Sequence, residues 1–151
     1  MDYVLAGATG LVGTEVLRQL VADAKNRVFC PGRRAPEISG ASVHFVEWDF
    51  VSPLDWSVQK PNAPHAICTL GTTIKKAGSQ EEFRRVDLEF VLQFGREMQK
   101  IGARSFHVVT AHGASKDSVI FYNRVKGEVE QQLSQLAFPA LHIYRPSLLL
   151  G

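Results

Sequence analysis

A chain of 151 residues with a formal charge of +2 has room for one domain, and at this size roughly 68–70% of the unfolded surface is buried on folding. No block of five or six like charges suggests a nucleic-acid arm or a polybasic membrane patch, and no apolar run nears the ~18 residues of a membrane span. Composition therefore names neither nucleic acid nor membrane as a partner. Cys30 and Cys68 each sit in an apolar run without a C-x-x-C pair, which predicts buried free thiols and a reducing compartment. The opening MDYVLAGATG enters a strand-like run at once, with no room for a leader. The expectation is a soluble, cytoplasmic protein.

In chain order, Tyr3-Val4-Leu5-Ala6 reads as a buried strand, GATGLVG as a turn, and Val12, Val16, Leu17, Leu20 and Val21 as the face of a first helix. NRVFCPGRR, ASVHFVEWDF and HAICTLG supply the next three strands. Ser79 and Glu82 form a capping box ahead of Phe83, Val86, Phe90, Val91, Phe94, Met98 and Ile101, a long amphipathic helix that runs from Glu82 to Ile101. SFHVVT is a fifth strand, the helical spacing of Tyr122, Val125, Val129, Leu133 and Leu136 predicts a helix over Ser118 to Leu136, and ALHIY is a sixth strand. Strands alternating with helices argue for a doubly wound α/β domain, a parallel sheet with helices on both faces. Nothing divides the chain, so residues 1–151 read as one dinucleotide-binding domain.

Gly7, Gly10 and Gly13 fall directly after the first strand and open the first helix. Glycines in that place let the chain turn, let backbone amides approach a pyrophosphate and let helix pack on strand. The helix start adds roughly half a positive charge, and Thr9, Leu11 and Val12 join the candidate cofactor contacts. An acidic residue at the end of the second strand would hold the ribose 2′-hydroxyl of NAD. Here Arg33 and Arg34 stand instead, offering guanidinium forks to a 2′-phosphate with no acidic neighbour to repel it, which suits NADP. Asp49 and Phe50 either meet the adenine edge and face or are a strand end and a core aromatic. Leu70, Gly71 and Thr72 close the fourth strand at the edge where ligands of open sheets bind, unless Gly71 serves the turn alone.

Tyr122 and Lys126 lie four apart, on one helix face. With three Tyr and seven Lys among 151 residues, such a pair arises by chance roughly 0.14 times, so its weight comes from its address after the fifth strand. An ammonium about 4 Å from a phenol, at an effective dielectric near 20, offers up to about 4 kcal/mol, roughly three pK units. That would make Tyr122 a general acid or base, with Thr110 holding the same substrate oxygen if it reaches.

GATGLVG, GRR, CTLGTT and YNRVKGEVE, in that order over essentially the whole chain, resemble the short-chain dehydrogenase/reductase superfamily in its extended or atypical branch. LGTT, VDLEFV and RVKGEVE resemble proteins related to the HIV Tat-interacting oxidoreductase. The resemblance implies a Rossmann fold with strand order 3-2-1-4-5-6, Tyr122 as acid/base, Lys126 on the nicotinamide ribose, and Thr110 at the usual serine position. Asp87 stands where many members carry an asparagine of a proton relay, unless it is an ordinary exposed helix residue. YRPSLLLG resembles the family's R-P-G segment, with Ser147 for glycine. Members usually continue past it to build the substrate pocket, so a C-terminal substrate-binding part is expected to be missing, or a small protein binds the dinucleotide alone.

His112 follows Thr110 and either touches substrate or is merely exposed. His44, His65, His107 and His142 lie singly, without the spacing of a metal site. Trp48 and Trp56 read as packing residues. The leading expectation is an NADP(H)-dependent oxidoreductase acting on a carbonyl or alcohol. The alternative is a non-catalytic NADP(H)-sensing module that works through protein partners. Two long helices offer a surface for a homodimer.

Overall fold

The computed structural model describes residues 1–147; the run Leu148 to Gly151, part of the basis for expecting a continuation, lies outside the described residues. The elements are β1 (Asp2–Ala6), α1 (Leu11–Val21), β2 (Arg27–Gly32), β3 (Val43–Glu47), β4 (His65–Cys68), α2 (Ile74–Ala77), α3 (Gln80–Arg84), a π-helical turn (Arg85–Phe90), α4 (Val91–Lys100), β5 (Ser105–Val109), α5 (Phe121–Ser134) and β6 (Leu141–Tyr144). All strand pairs are parallel, and the sheet runs β3-β2-β1-β4-β5-β6, the order predicted. The winding reverses between β1 and β4, which opens a crevice at their carboxyl ends.

Side chains alternate across the sheet as strand geometry requires. Val4, Ala6, Phe29, Cys68, Phe106 and Val108 share one core with Phe83, Phe94 and Met98 of α3 and α4 and with Val125, Val129 and Leu133 of α5. Each large side chain buried this completely contributes about 1.5–3 kcal/mol. Leu5, Val28 and Cys30 face the other way onto Leu17 of α1. Both cysteines are free and buried, and burial pushes each thiol up to about 12.

The expected long helix is composite. Ser79 caps α3 by accepting from the Glu82 amide at 3.0 Å, and a π turn then interrupts the α-helical ladder, with Asp87, Leu88 and Phe90 all buried in it. Such turns concentrate at functional sites. The expected helix from Ser118 starts only at Phe121, because the Ser118 hydroxyl accepts from the Ile120 amide and the Ser118 carbonyl from Arg124, holding those residues in a loop.

On the α1 side, β4 to β6 carry a trough of about 700 Å³, lined by Val12, Val16, Ile67, Val109 and Ile143. Beside it a hydrogen-bonded row crosses the strands. Ser105 Oγ lies 2.6 Å from His65 Nδ1 and 3.0 Å from His107 Nε2, and His107 Nδ1 lies 3.0 Å from the Tyr144 hydroxyl. His107 also stacks on His142 at 4.5 Å. These histidines are neighbours across strands, which corrects the expectation that each stands alone. Among the described residues no group of three or more His, Cys, Asp or Glu could hold a metal ion, and no helix is long and apolar enough to cross a membrane.

Candidate functional site

The three glycines have different work. Gly7 has φ +90°, and a Cβ there would stand 2.5 Å from Thr69 Oγ1 and 2.8 Å from the Thr69 backbone carbon. A Cβ on Gly13 would overlap the Gly7 carbonyl oxygen. These two glycines let loop, strand and helix meet. Thr69 fastens the join, its hydroxyl lying 3.1 Å from both the Ala6 and Gly7 carbonyls, which share its one proton. Gly10 differs: a Cβ there would meet only the Gly7 oxygen, at an ordinary 3.6 Å. It is the N-cap of α1, with no side chain over the first amides, and it is exposed together with Thr9 and Leu11, while Val12 is half-buried. The bare helix start that a phosphate group requires is therefore present, at a glycine that the fold itself does not demand.

Arg33 and Arg34 are both exposed but diverge. Arg34 lines a cavity of about 300 Å³ with Thr9 and Thr14, beside the glycine turn. Arg33 lies over the Phe90 ring at 5.3 Å and lines a second cavity with Asp49. The expectation that no acidic residue stands near is corrected, because Glu37 lines the Arg34 cavity. Glu37 is only three residues beyond Arg34, so this neighbour stood beside the motif in the sequence itself.

Of the two readings of Asp49 and Phe50, the structure favours strand end and core aromatic. Asp49 accepts from the Val51 and Ser52 amides at 2.8 Å and from the Ser52 hydroxyl at 2.7 Å, which lowers its carboxyl to about 2. Phe50 is buried, stacked on Phe90 at 5.4 Å and against Trp48 at 4.6 Å, so neither ring face is left for a base.

At the end of β4, exposed Gly71 gives way to Thr72, whose amide donates to Asp87 Oδ2 at 3.0 Å. Asp87 Oδ1 accepts from Lys126 Nζ at 2.6 Å, with both side chains almost wholly buried. Of the two readings of Asp87, an exposed helix residue is thus ruled out. Burial pushes its carboxyl up, opposed by Lys126. Both of its neighbours are donors, so the ionised form fits the contacts. Lys126 Nζ lies 5.6 Å from the Tyr122 ring centroid, and that ring packs on Phe83 at 5.3 Å. The sequence-based reckoning took the ammonium as free; here it is ion-paired, so the field reaching the phenol is that of a pair.

Thr110 is buried and directed elsewhere. Its hydroxyl donates to Glu130 Oε2 at 2.8 Å, and Glu130 also accepts from Arg145 Nε at 2.8 Å and Nη2 at 2.6 Å. A hydroxyl has one proton, and in this arrangement it goes to Glu130, so the expected donation from Thr110 to a substrate oxygen does not fit. His112 is exposed. One edge thus brings together the glycine turn, Thr69 to Thr72, Asp87, Lys126 and Tyr122. Glu130 and Arg145 stand in the motifs YNRVKGEVE and YRPSLLLG but carry no role in the sequence reading, although Tyr122, Lys126 and Glu130 repeat at i, i+4 and i+8 on an otherwise apolar face.

No family model matches the chain. The protein FMP52, mitochondrial, of Meyerozyma guilliermondii is 33% identical over 160 residues, covering 100% of this chain and 66% of that protein. The fmp52 protein of Aspergillus fumigatus is 32% identical, with 99% and 67% covered, and HTATIP2 of Rattus norvegicus is 32% identical, with 97% and 62% covered. The chain spans about two thirds of the length of these curated relatives. Among solved structures, a UDP-glucose 4-epimerase of Thermotoga maritima with UDP-glucose matches at TM-score 0.73 and 13% identity, over 96% of this chain and 55% of that one. WbmG of Bordetella bronchiseptica in complex with NAD matches at TM-score 0.74 and 12% identity, over 95% and 52%. These two show the fold. The relatives named mitochondrial overturn the cytoplasmic expectation, which rested on the buried thiols, the strand-like opening and the lack of a long apolar run; buried thiols belong to a folded domain in any reducing compartment. Relatives at 32% identity, covered over about two thirds of their length, together with the strand order and glycine turn, show that the chain belongs to the short-chain dehydrogenase/reductase superfamily, among the relatives of HTATIP2 and FMP52.

Proposed function

We propose that the chain binds a nicotinamide dinucleotide, NADP(H) in preference to NAD(H), and serves an oxidoreductase that interconverts a carbonyl and an alcohol. The observation that carries this reading is the unbroken run of contacts from the glycine turn through Thr69 to Thr72 and Asp87 to Lys126 and Tyr122. The amides of Leu11 to Gly13 would receive the diphosphate, Gly10 keeps their approach clear, and Arg34 would meet the 2′-phosphate. WbmG, a neighbour in fold, is described in complex with NAD, which supports a nicotinamide dinucleotide and leaves the 2′-phosphate to the arginines.

When bound, the reduced nicotinamide supplies a hydride to the carbonyl carbon. Tyr122 gives its phenolic proton to the carbonyl oxygen, yielding the alcohol, and takes it back in the reverse direction. Lys126, held by Asp87, has further N–H donors for the ribose hydroxyls. Thr110, through Glu130, ties α5 to the ends of β5 and β6 and so sets where Tyr122 stands.

The test is transfer of deuteride from C4-labelled NADPH to a panel of aldehydes and ketones. Tyr122→Phe is expected to lower turnover at least about a hundredfold, the usual worth of a placed acid, with NADPH affinity within about twofold. Full turnover in that variant rejects the assigned role. No transfer by the wild type would favour the nucleotide-sensing alternative.

A further inference from the structure

Asp87 has two partners, and both are donors: the Lys126 ammonium at 2.6 Å and the Thr72 amide at 3.0 Å. Each donor meets its own oxygen, an arrangement that a carboxylate without a proton satisfies. An asparagine offers one carbonyl oxygen and an amide whose hydrogens would face a donor, and a protonated carboxyl fails in the same way. Gly71 lies alongside the pair: a Cβ there would stand 3.4 Å from Asp87 Oδ1 and 3.8 Å from Lys126 Nζ, ordinary contacts that place the strap after β4 against both charges. The π turn places Asp87 in the interior, 1% exposed.

We propose that Asp87 is the standing counter-ion of Lys126, a positioning residue that ties the lysine to the strap after β4 and shields its charge from Tyr122. This rests on the reading of Tyr122 and Lys126 as the reacting pair. It departs from a relay built on a neutral asparagine. Lysine then serves by directed hydrogen bonds, while its cation is matched before any ligand arrives. The titratable groups around the ammonium are Asp87 from the π turn, Tyr122 from its own helix and Cys68 from β4, whose thiol is pushed up to about 12 by burial and so stays neutral. Gly71 and Thr72 add only backbone.

Replacing Asp87 by Asn removes the counter-charge and leaves one acceptor. The pH profile of turnover, and the Tyr122 part of the ultraviolet phenolate titration of the ligand-free protein (wild type minus Tyr122→Phe), are expected to move to lower pH by about one unit, as for a cation uncovered several ångströms away at an effective dielectric of 20 or more. Loss of packing alone would lower kcat without moving either curve. Curves that stay within about 0.2 units in a folded Asp87→Asn protein overturn the proposal. If that variant does not fold, the wild type decides. A Lys126 ammonium resonance protected from solvent exchange at neutral pH, unlike those of the exposed lysines, supports the proposal, and its absence overturns it. Because the titration and the resonance need no substrate, they separate this proposal from the reading of the chain as an oxidoreductase, which fails instead on Tyr122→Phe turnover.

Discussion

Gly10 and Gly13 are three residues apart in one motif, yet sterics assigns them opposite duties. A Cβ on Gly13 would run into the Gly7 carbonyl, whereas one on Gly10 meets nothing closer than 3.6 Å. Gly13→Ala is therefore expected to destabilise the fold by about 2 kcal/mol, a typical cost of forcing atoms into a packed backbone, read as a lower denaturation midpoint. Gly10→Ala is expected to leave that midpoint within about 1 kcal/mol of wild type while weakening dinucleotide binding at least tenfold, because the methyl group stands where the ligand approaches. The same dissection applies to the arginines: the pair was legible as GRR, but only folding shows that Arg34 faces the glycine turn while Arg33 covers Phe90.

At the scale of elements, α5 carries most of what was hard to read. Tyr122 and Lys126 were visible from their spacing, but the partners of Lys126 and Glu130 come from elsewhere in the chain: Asp87 from 39 residues away, Thr110 from 20, Arg145 from 15. Glu130 is buried and accepts three hydrogen bonds, so Glu130→Ala is expected to cost about 2 kcal/mol, less than a fully buried pair because Arg145 is more than half exposed. Chemical denaturation reads the loss, and Glu130→Gln, which keeps one acceptor, should recover part of it. The row across β4 to β6 makes a pH prediction. Burial lowers His107, helped by His142 and His65, and burial likewise lowers His65, helped by Arg104 and the N-terminus. A base lowered on folding contributes stability that is present in full above its unfolded value near 6.5 and is lost as pH falls through the folded value. Stability should thus decline below about pH 6.5, and His107→Gln should flatten that part of the curve. Register created this cluster, and register is a property of the sheet that no single strand displays.

For the whole molecule, the alternation of strand and helix sufficed to predict a doubly wound parallel sheet, because parallel strands need right-handed crossovers, whereas the strand order came with the family resemblance, since more than one order obeys that rule. The π turn was illegible because apolar spacing tolerates one extra residue per turn. Cellular address was misread because it is carried by signals other than the packing and charge of a domain. The central claim is that amides at the start of α1 receive a dinucleotide beside Tyr122. Calorimetric titration with NADPH and NADH, on wild type and Gly10→Ala, tests it most directly. The account predicts NADPH binding of micromolar order, about tenfold or more tighter than NADH, and weakened for both in Gly10→Ala. No binding of either nucleotide at millimolar concentration, or affinity unchanged by Gly10→Ala, would contradict it.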